Sequence, residues 1–592
     1  MTDYRPPVDD ILFLLRHVID TEAVLALPGY AHVDRATVES VIDAVAKFTA
    51  GAVAPINLAS DRQGARFENG KVYLPDGFVD LYRKWCAAGW PALDLPEEYG
   101  GQNMTELVQS ALSEMLNGAC IAFGMLTTSS RAAARVLQVH ADAPTRSIYL
   151  PKLTDGEWSG TIVMTEPHAG SDIGLARTKA RKLPNGKYAI SGTKIFISFA
   201  DHDAVEQIVH IVLARTEGAP SGVKGLSLFL VPKRTLNDDG SLGTFNNVRI
   251  ERIEEKMGMH GSPTCVVQFE DAEGMLLDGE FNGIRNMFTM INTMRLEVAF
   301  EAIGLSGAAT DHALRYALER PQGNSGKGGT KDNDGKPVPI IEHPDVRRMI
   351  LTMKSLSDAG RALGYEAAWL IDRARAAPDE QTRRDAADLA AWLLPIAKAH
   401  LSDNAVDICN IGIQIFGGHG FIKETGAEQY ARDARILGIY EGANGIQGID
   451  LVSRKLMQAN GRLYNLFVER IRADLGRFAG RKETREIHGA VAACLDLFDR
   501  TTQYMVARNR GAPRDALAGA SPYLKLAGRL TLGWLWLRMA GVDGHSALIA
   551  EKRALAQFYA AQIMADTEAL ARQATAGAAT LDALDSKALA RA

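Results

Sequence analysis

The chain has 592 residues with a formal net charge of −5, 46 % hydrophobic and 23 % charged residues. That is the composition of a soluble globular protein of roughly three to four domains. Its interspersed charges give no basic surface for nucleic acid or membrane, and five dispersed cysteines without a CxxC pair argue against disulfides and a zinc site and for free thiols in a reducing compartment.

The N-terminus "MTDYRPPVDDILFLLRHVID" has neither a basic leader nor a long apolar core, so a signal or transit peptide is not expected. Residues 1–40 read as an extension and 41–160 as a helical domain. "DRATVESVIDAVAKFTAGAVAPI" carries apolar residues at helical spacing, and Pro55 is expected to end that helix. "LPEEYGGQN", Leu95 to Asn103, is a turn-rich loop.

Over 161–280 the period changes to two. "KYAISGTKIFIS", "IVHIVLAR", "LSLFLVP" and "CVVQFED" are short β-branched or aromatic runs separated by turn residues, as in a small antiparallel β domain, a barrel or a sandwich. Helices return over 281–460. Val346, Met349, Ile350, Met353 and Leu356 share one face, and Pro395 is expected to kink a long helix. "PQGNSGKGGTKDNDGKPVP", Pro321 to Pro339, reads as an exposed loop. Residues 461–592 are Ala- and Leu-rich and form an extra helical domain. "LTLGWLWLRMAGV" within it is broken by Arg538 and too short to span a bilayer, so it reads as a buried helix. The fold class is therefore α+β and multidomain.

Four stretches bear on chemistry. "MTEPHAGSD", Met164 to Asp172, leaves a strand through Pro167 and Gly170. Its N–H groups could face an anion, with Thr165 and Ser171 adding hydroxyls, although taken alone the segment fits an ordinary strand-exit turn better. "KIFIS" puts Phe196 and Ser198 on one strand face, where a ring and a hydroxyl could flank a planar heterocycle, or where Phe196 could simply face a core. "IQIFGGHGF" offers Gln414, Gly417, Gly418 and Gly420, either for close backbone approach to a ligand or as a plain helix C-cap. "ILGIYEGANGIQGID" sets Glu441 between an apolar run and a flexible turn, which taken alone fits a solvent-exposed loop carboxylate better than a base. An apolar setting raises a carboxylate's pKa toward that of a useful base. No GxGxxG follows a strand, so a Rossmann site is not indicated.

Taken together these motifs resemble the acyl-CoA dehydrogenase family. "LPEEYGG", "MTEPHAGSD", "KIFIS", "EKMGMHGSPT", "NTMRLEVAFEAIG", "YALER", "IQIFGGHGF" and "RDARILGIYEGANGIQ" fall in the family's order over about residues 60–460. The resemblance implies the family's N-terminal helical domain, middle β domain and C-terminal four-helix bundle, here with the extra helical domain. It implies FAD as cofactor and an acyl-CoA substrate. Glu441 would take the α-proton while the β-hydrogen leaves as hydride. Met164, Thr165, Ser171, Phe196 and Ser198 would contact the flavin cofactor, and Arg320, Gln414 and Gly418 would reach the FAD of a neighbouring subunit in a homodimer. Ser171, Asn292, Arg295 and Gly442 would contact substrate. No metal is implied.

Some positions depart from the family pattern. Phe196 stands where many relatives have Trp, Ser198 where they often have Thr, and Asn292 where they often have Asp. Gly323 replaces an aromatic, and Ala443 and Gly445 replace larger polar residues after Glu441. Met294 stands where relatives that carry the base beside Arg295 have Glu; Glu297 lies on another helical face and reads as structural. The length and the Gly/Lys/Asp-rich insert resemble a roughly 600-residue bacterial branch, which implies 3-methylmercaptopropionyl-CoA or a medium- or long-chain acyl-CoA as substrate. Electron-transfer flavoprotein is the implied acceptor and the cytoplasm the implied compartment. An acyl-CoA oxidase and an inactive acyl-CoA-binding protein share the core and stand as alternatives.

Overall fold

The computed structural model describes residues 4–237, 239–323 and 337–591. Most of the Gly/Lys/Asp-rich insert therefore lies outside the described residues. Its two ends are tied together by the Gln322 N–H to the Val338 carbonyl and the Val338 N–H to the Gly323 carbonyl, at 2.9 and 3.0 Å. The chain divides into two compact units. One is built from Lys47–Thr105 and Met115–Glu297, the other from Arg5–Ala46, Glu106–Glu114 and Val298–Ala592.

The first unit holds the β domain. Among the described residues, seven strands form one sheet: β1 (Trp158–Val163), β2 (Lys179–Lys182), β3 (Tyr188–Ser198), β4 (Gln207–Thr216), β5 (Leu226–Pro232), β6 (Val248–Ile253) and β7 (Thr264–Leu277). β7 pairs with both β3 and β5, β5 with β4, β4 with β2, and β2 with β3, so the pairings close into a ring. Val163, Ile190, Val212, Phe229, Val267 and Phe269 fill one core cluster. A second cluster joins Val209, Ile211, Leu213 and Leu228 to helical residues such as Ala133, Leu137 and Met290. The sheet is mainly antiparallel, as expected, but β1–β4 and β2–β4 run parallel. Parallel pairing needs a long crossover, and the chain between β1 and β4 supplies one.

Two local expectations are corrected in or beside this unit. The helix at Arg35–Phe48 does not stop at Pro55: a wide π turn over Thr49–Val53 leads into the helix Ala54–Gln63. Pro55 then occupies a first helical turn, where its missing N–H leaves no bond unmade. A short hairpin, Arg66–Glu68 with Lys71–Tyr73, also interrupts the helical stretch. The run Arg35–Gln63 is long and apolar enough to cross a membrane by length and composition. Val38, Ile42, Val45 and Val53 on it are buried, and 39 % of its most apolar stretch is buried in all.

The second unit is helical, with long members α1 (Gly283–Glu319, from Val298 onward), α2 (Pro344–Ala376) and α3 (Glu380–Phe416). α3 runs through Pro395 as one helix. Ile350, Met353 and Leu356 of α2 are buried, as their spacing requires. The extra C-terminal segment packs within this unit. α4 (Ala520–Ala540), which carries "LTLGWLWLRM", buries Trp534 and Trp536. Arg470 and Arg538 both reach the buried Glu366 of α2, at 2.5 and 2.6 Å. The first residues join the same unit: Tyr30 Oη donates to Asp372 Oδ1 (2.9 Å), Trp369 Nε1 to the Asp20 carbonyl (2.8 Å), and Lys552 Nζ to Asp10 Oδ1 (2.5 Å). Among the described residues no cysteine pairs; Cys120, Cys265, Cys409 and Cys494 are buried and Cys86 half-buried.

Candidate active site

In the first unit, Met164 to Asp172 leaves β1 as an irregular segment closed by a bridge between Glu166 and Ala169. It lies beside β3, since the Ile195 N–H donates to the Thr165 carbonyl at 2.9 Å. Met164 and Thr165 are half-exposed and Ser171 is exposed. At the end of β3, two residues, Ile195 and Phe196, oppose the single Val266 of β7. This bulge breaks the strict alternation that placed Phe196 and Ser198 on one face. Phe196 has φ +61° and its side chain is 60 % exposed. A bulky residue rarely adopts a left-handed backbone, and such positions gather at functional sites. Ser198, half-buried, pairs with Thr264 of β7.

This segment is fixed by a buried ion pair that the sequence reading did not identify. Lys194 is fully buried, and its Nζ donates to the Met164 carbonyl (3.0 Å), Glu166 Oε1 (2.9 Å) and the Leu213 carbonyl (2.7 Å). Burial lowers the Lys194 pKa to about 8 despite the attraction of Glu166. Glu166 also accepts from the N–H groups of Arg177 (2.7 Å) and Thr178 (3.0 Å) and from Thr178 Oγ1 (2.7 Å). Burial pushes that carboxyl up, but Lys194 and these donors pull it below its ordinary value. The available signal was a cation in "TKIFIS", inside a strand that otherwise points apolar groups inward.

On the part of α1 that belongs to this unit, Asn292 is exposed and Arg295 buried. Glu297 accepts from Arg131 Nη1 at 2.5 Å, and Arg131 Nη2 is 2.6 Å from Asp94 Oδ2. Glu297 is thus held in a buried ion pair with Arg131. Met294 is buried.

In the second unit, Glu441 sits on a turn between Arg435–Gly438 and the short helix Asn444–Ile449. It has φ +53°, and Gly442 follows at φ +87°. Glu441 is half-buried and Gly442 exposed. Tyr440, just before, hydrogen-bonds Glu301 of α1 through a short contact. Burial, then the Glu301 charge, push the Tyr440 phenol well above its usual range. Just after, the Gly442 carbonyl accepts from Lys398 Nζ of α3 at 2.8 Å.

Arg320, Gln414 and Gly418 lie at the C-terminal ends of α1 and α3. These ends are joined by Tyr316 stacked on Phe416, ring centroids 4.1 Å apart. Gln414 and Gly418 are exposed, and the neighbouring Phe421 is 87 % exposed. Sixteen residues separate Gln414 from Lys398 on α3, about 24 Å at 1.5 Å per residue. Within one chain this group therefore stands well apart from the Glu441 turn.

Known proteins resemble this chain in sequence and in fold. The family model "Acyl-CoA dehydrogenase, N-terminal domain" matches residues 36–157, "middle domain" 161–272 and "C-terminal domain" 282–457, and "Acetyl-CoA dehydrogenase C-terminal like" matches 467–585. The 3-methylmercaptopropionyl-CoA dehydrogenase of Ruegeria pomeroyi is 38 % identical, over 96 % of this chain and 97 % of its own. A broad-specificity linear acyl-CoA dehydrogenase of Mycobacterium tuberculosis is 33 % identical over 92 % and 91 %. The solved acyl-CoA dehydrogenase of Bacillus anthracis complexed with FAD has the same fold, with a TM-score of 0.74 and 22 % identity over 92 % and 88 %. From its core domains to its C-terminal extension, the chain belongs to the acyl-CoA dehydrogenase family.

Proposed function

We propose that the protein catalyses FAD-dependent α,β-dehydrogenation of an acyl-CoA thioester to the trans-2-enoyl-CoA, with Glu441 as the α-proton base. The observation that carries this is the Glu441 turn. A non-glycine residue is held left-handed, half-buried, with both chain neighbours tied to helices. Ile439 and Ile446 are exposed on either side of it in sequence, apolar area that a bound acyl chain or flavin ring would cover.

The residues present fit FAD. An exposed aromatic ring at a left-handed position, Phe196, offers a face to a planar ring system, and the half-exposed Met164 and Thr165 lie beside it along β3. A Cβ added at Gly170 would meet nothing within 4 Å, so the segment leaves room for a ligand. Met164, Thr165, Ser171, Phe196 and Ser198 would hold the cofactor, which when bound supplies the acceptor for the β-hydrogen as hydride. Arg320, Gln414 and Gly418 would reach the cofactor of a second copy in a homodimer. Their separation along α3 from the Glu441 turn supports that reading.

The chain's own chemistry is proton abstraction. The Glu441 carboxylate removes the α-proton, and a hydrogen bond from its backbone N–H to the thioester oxygen stabilises the developing enolate. Asn292, Arg295, Ser171 and Gly442 are assigned to the acyl-CoA. The substrate is 3-methylmercaptopropionyl-CoA or a medium- or long-chain fatty acyl-CoA, as the similarity to the Ruegeria and Mycobacterium enzymes suggests. Electron-transfer flavoprotein is the electron acceptor, and the free cysteines fit a cytoplasmic enzyme.

The test is anaerobic flavin bleaching across an acyl-CoA panel with wild type and Glu441→Gln. The variant should bind FAD and acyl-CoA yet lose roughly 1,000-fold or more in flavin reduction rate. Reduction at near wild-type rate would refute the base assignment. Fast peroxide formation in air would instead identify an oxidase.

A further inference from the structure

The turn that carries Glu441 is held by side chains the proposed chemistry does not use. Two donors converge on one carbonyl, with Lys398 Nζ 2.8 Å and Gln447 Nε2 3.1 Å from the Gly442 oxygen. Gln447 Nε2 also lies 3.3 Å from the Glu441 carbonyl. Lys398 donates again to Asn444 Oδ1 at 3.0 Å, and Asn444 Nδ2 donates to Asp403 Oδ1, Ser402 Oγ and the Ala399 carbonyl at 2.7, 2.9 and 3.1 Å. Lys398, Ser402 and Gln447 are fully buried.

An ammonium group in a helix interior is costly, and packing alone is better served by an apolar side chain. The Lys398 ammonium serves two groups of the Glu441 turn, the Gly442 carbonyl and Asn444 Oδ1. The glycine fits the same purpose. At φ +87° it is left-handed, and a Cβ there would lie 2.6 Å from Gln447 Nε2. A larger residue would displace the second donor.

We propose that Lys398, seconded by Gln447, is a positioning residue for the base. It fixes the Gly442 carbonyl, and through it the left-handed Glu441, so that the carboxylate is held at the substrate α-carbon. Lys398 transfers no proton and touches no substrate. The proposal rests on the reading of Glu441 as the base.

The experiment uses the full-length, FAD-loaded enzyme and single-turnover anaerobic reduction by an acyl-CoA that bleaches the wild type. Lys398→Met should lower the limiting reduction rate about 10–100-fold, as a misplaced reacting group does, while the Kd for acyl-CoA from the same titration stays within about threefold. The α-deuterium isotope effect on reduction should be at least as large as in wild type. In the Glu441→Gln background Lys398→Met should add no further loss, because it acts through the carboxylate; a general structural role would lower both backgrounds alike. Gln447→Leu, which removes the other donor to the same carbonyl, should show the same split, and it carries the test if Lys398→Met fails to fold. A wild-type limiting rate in Lys398→Met, or an equal loss in both backgrounds, overturns the proposal. Reduction at wild-type rate by Glu441→Gln alone overturns the base reading and this proposal with it. An inactive Glu441→Gln beside a normal Lys398→Met overturns the positioning role only.

Discussion

Lys194→Met removes the cation that fixes the segment assigned to the flavin. In the folded unit it takes away three donors, leaving the Met164 and Leu213 carbonyls and one Glu166 oxygen without them. Glu166 remains 3 % exposed, with the Arg177 and Thr178 donors and with His168 Nε2 3.5 Å away. Breaking a buried ion pair from one side costs about 3–5 kcal/mol. The two carbonyls overlap with that loss, and Glu166 keeps three donors, so about 3 kcal/mol is the reasoned figure. Carried wholly by the Met164–Ser171 segment, it weakens FAD binding about 100-fold, at tenfold per 1.4 kcal/mol. A chain of two units does not melt as one two-state transition, so the assay is equilibrium titration of the apoprotein with FAD, followed by flavin fluorescence. Adding Glu166→Gln, which removes the stranded charge but keeps an acceptor, should recover about 1–2 kcal/mol of the loss. A Kd for FAD within threefold of wild type in Lys194→Met would refute the reasoning, as would a double variant worse than the sum of the singles.

Three further outcomes follow from named contacts. Burial pushes the Asp372 carboxyl up to about 7, although it accepts the N–H groups of Glu106 and Leu107. The native state therefore holds this proton more tightly than the unfolded chain, and stability should fall by about 4 kcal/mol as pH rises from about 4 to above 7. Asp372→Asn should flatten that slope, and an unchanged pH profile of melting would count against it. Arg320→Ala should weaken FAD retention and dimerisation together, and light scattering showing a fully active monomer would contradict the shared site. Truncation after Gly461 removes Arg470 and Arg538 from the buried Glu366 and uncovers the bundle face packed by Trp536, whose Nε1 donates to the Ser355 carbonyl at 3.2 Å. That variant should aggregate, and a soluble, active product would show the extra domain to be dispensable.

What the sequence made legible was periodic. The runs "KYAISGTKIFIS" and "LSLFLVP" are strands, "HPDVRRMILTMKSL" is a helix with the expected buried face, and "LTLGWLWLRM" is a buried helix. Motif spelling located the Glu441 turn and the Met164–Asp172 segment. What it concealed was set by partners far along the chain. Tyr30 meets Asp372 and Lys552 meets Asp10, separations of 342 and 542 residues, so nothing local marked the first forty-odd residues as part of the C-terminal unit. The π turn before Pro55 was hidden because proline ends a helix only where its N–H is needed. The left-handed backbone at Phe196 and Glu441 was hidden for a further reason: neither residue type favours it, so only surrounding contacts impose it.

Those contacts share a chemistry. The two segments assigned to function are irregular, and their carbonyls lack the ladder partners that a helix or strand would provide. Each is served by a buried lysine: Lys194 for the Met164 carbonyl and Lys398 for the Gly442 carbonyl. A leucine at 194 would fill the volume and remove the donor to the Met164 carbonyl, and one at 398 would leave the Gly442 carbonyl to Gln447 alone. An arginine would present a rigid planar fork, whereas the acceptors of Lys194 come from the segment itself, from Glu166 and from β4, which a tetrahedral ammonium can serve together. Lys194 faces Glu166 directly, and Lys398 donates to Asn444 Oδ1, whose amide in turn donates to Asp403. In the helical interior around Glu441 the cation meets a carbonyl that Gln447 also serves, at the longer distance of 3.1 Å against 2.8 Å for Lys398.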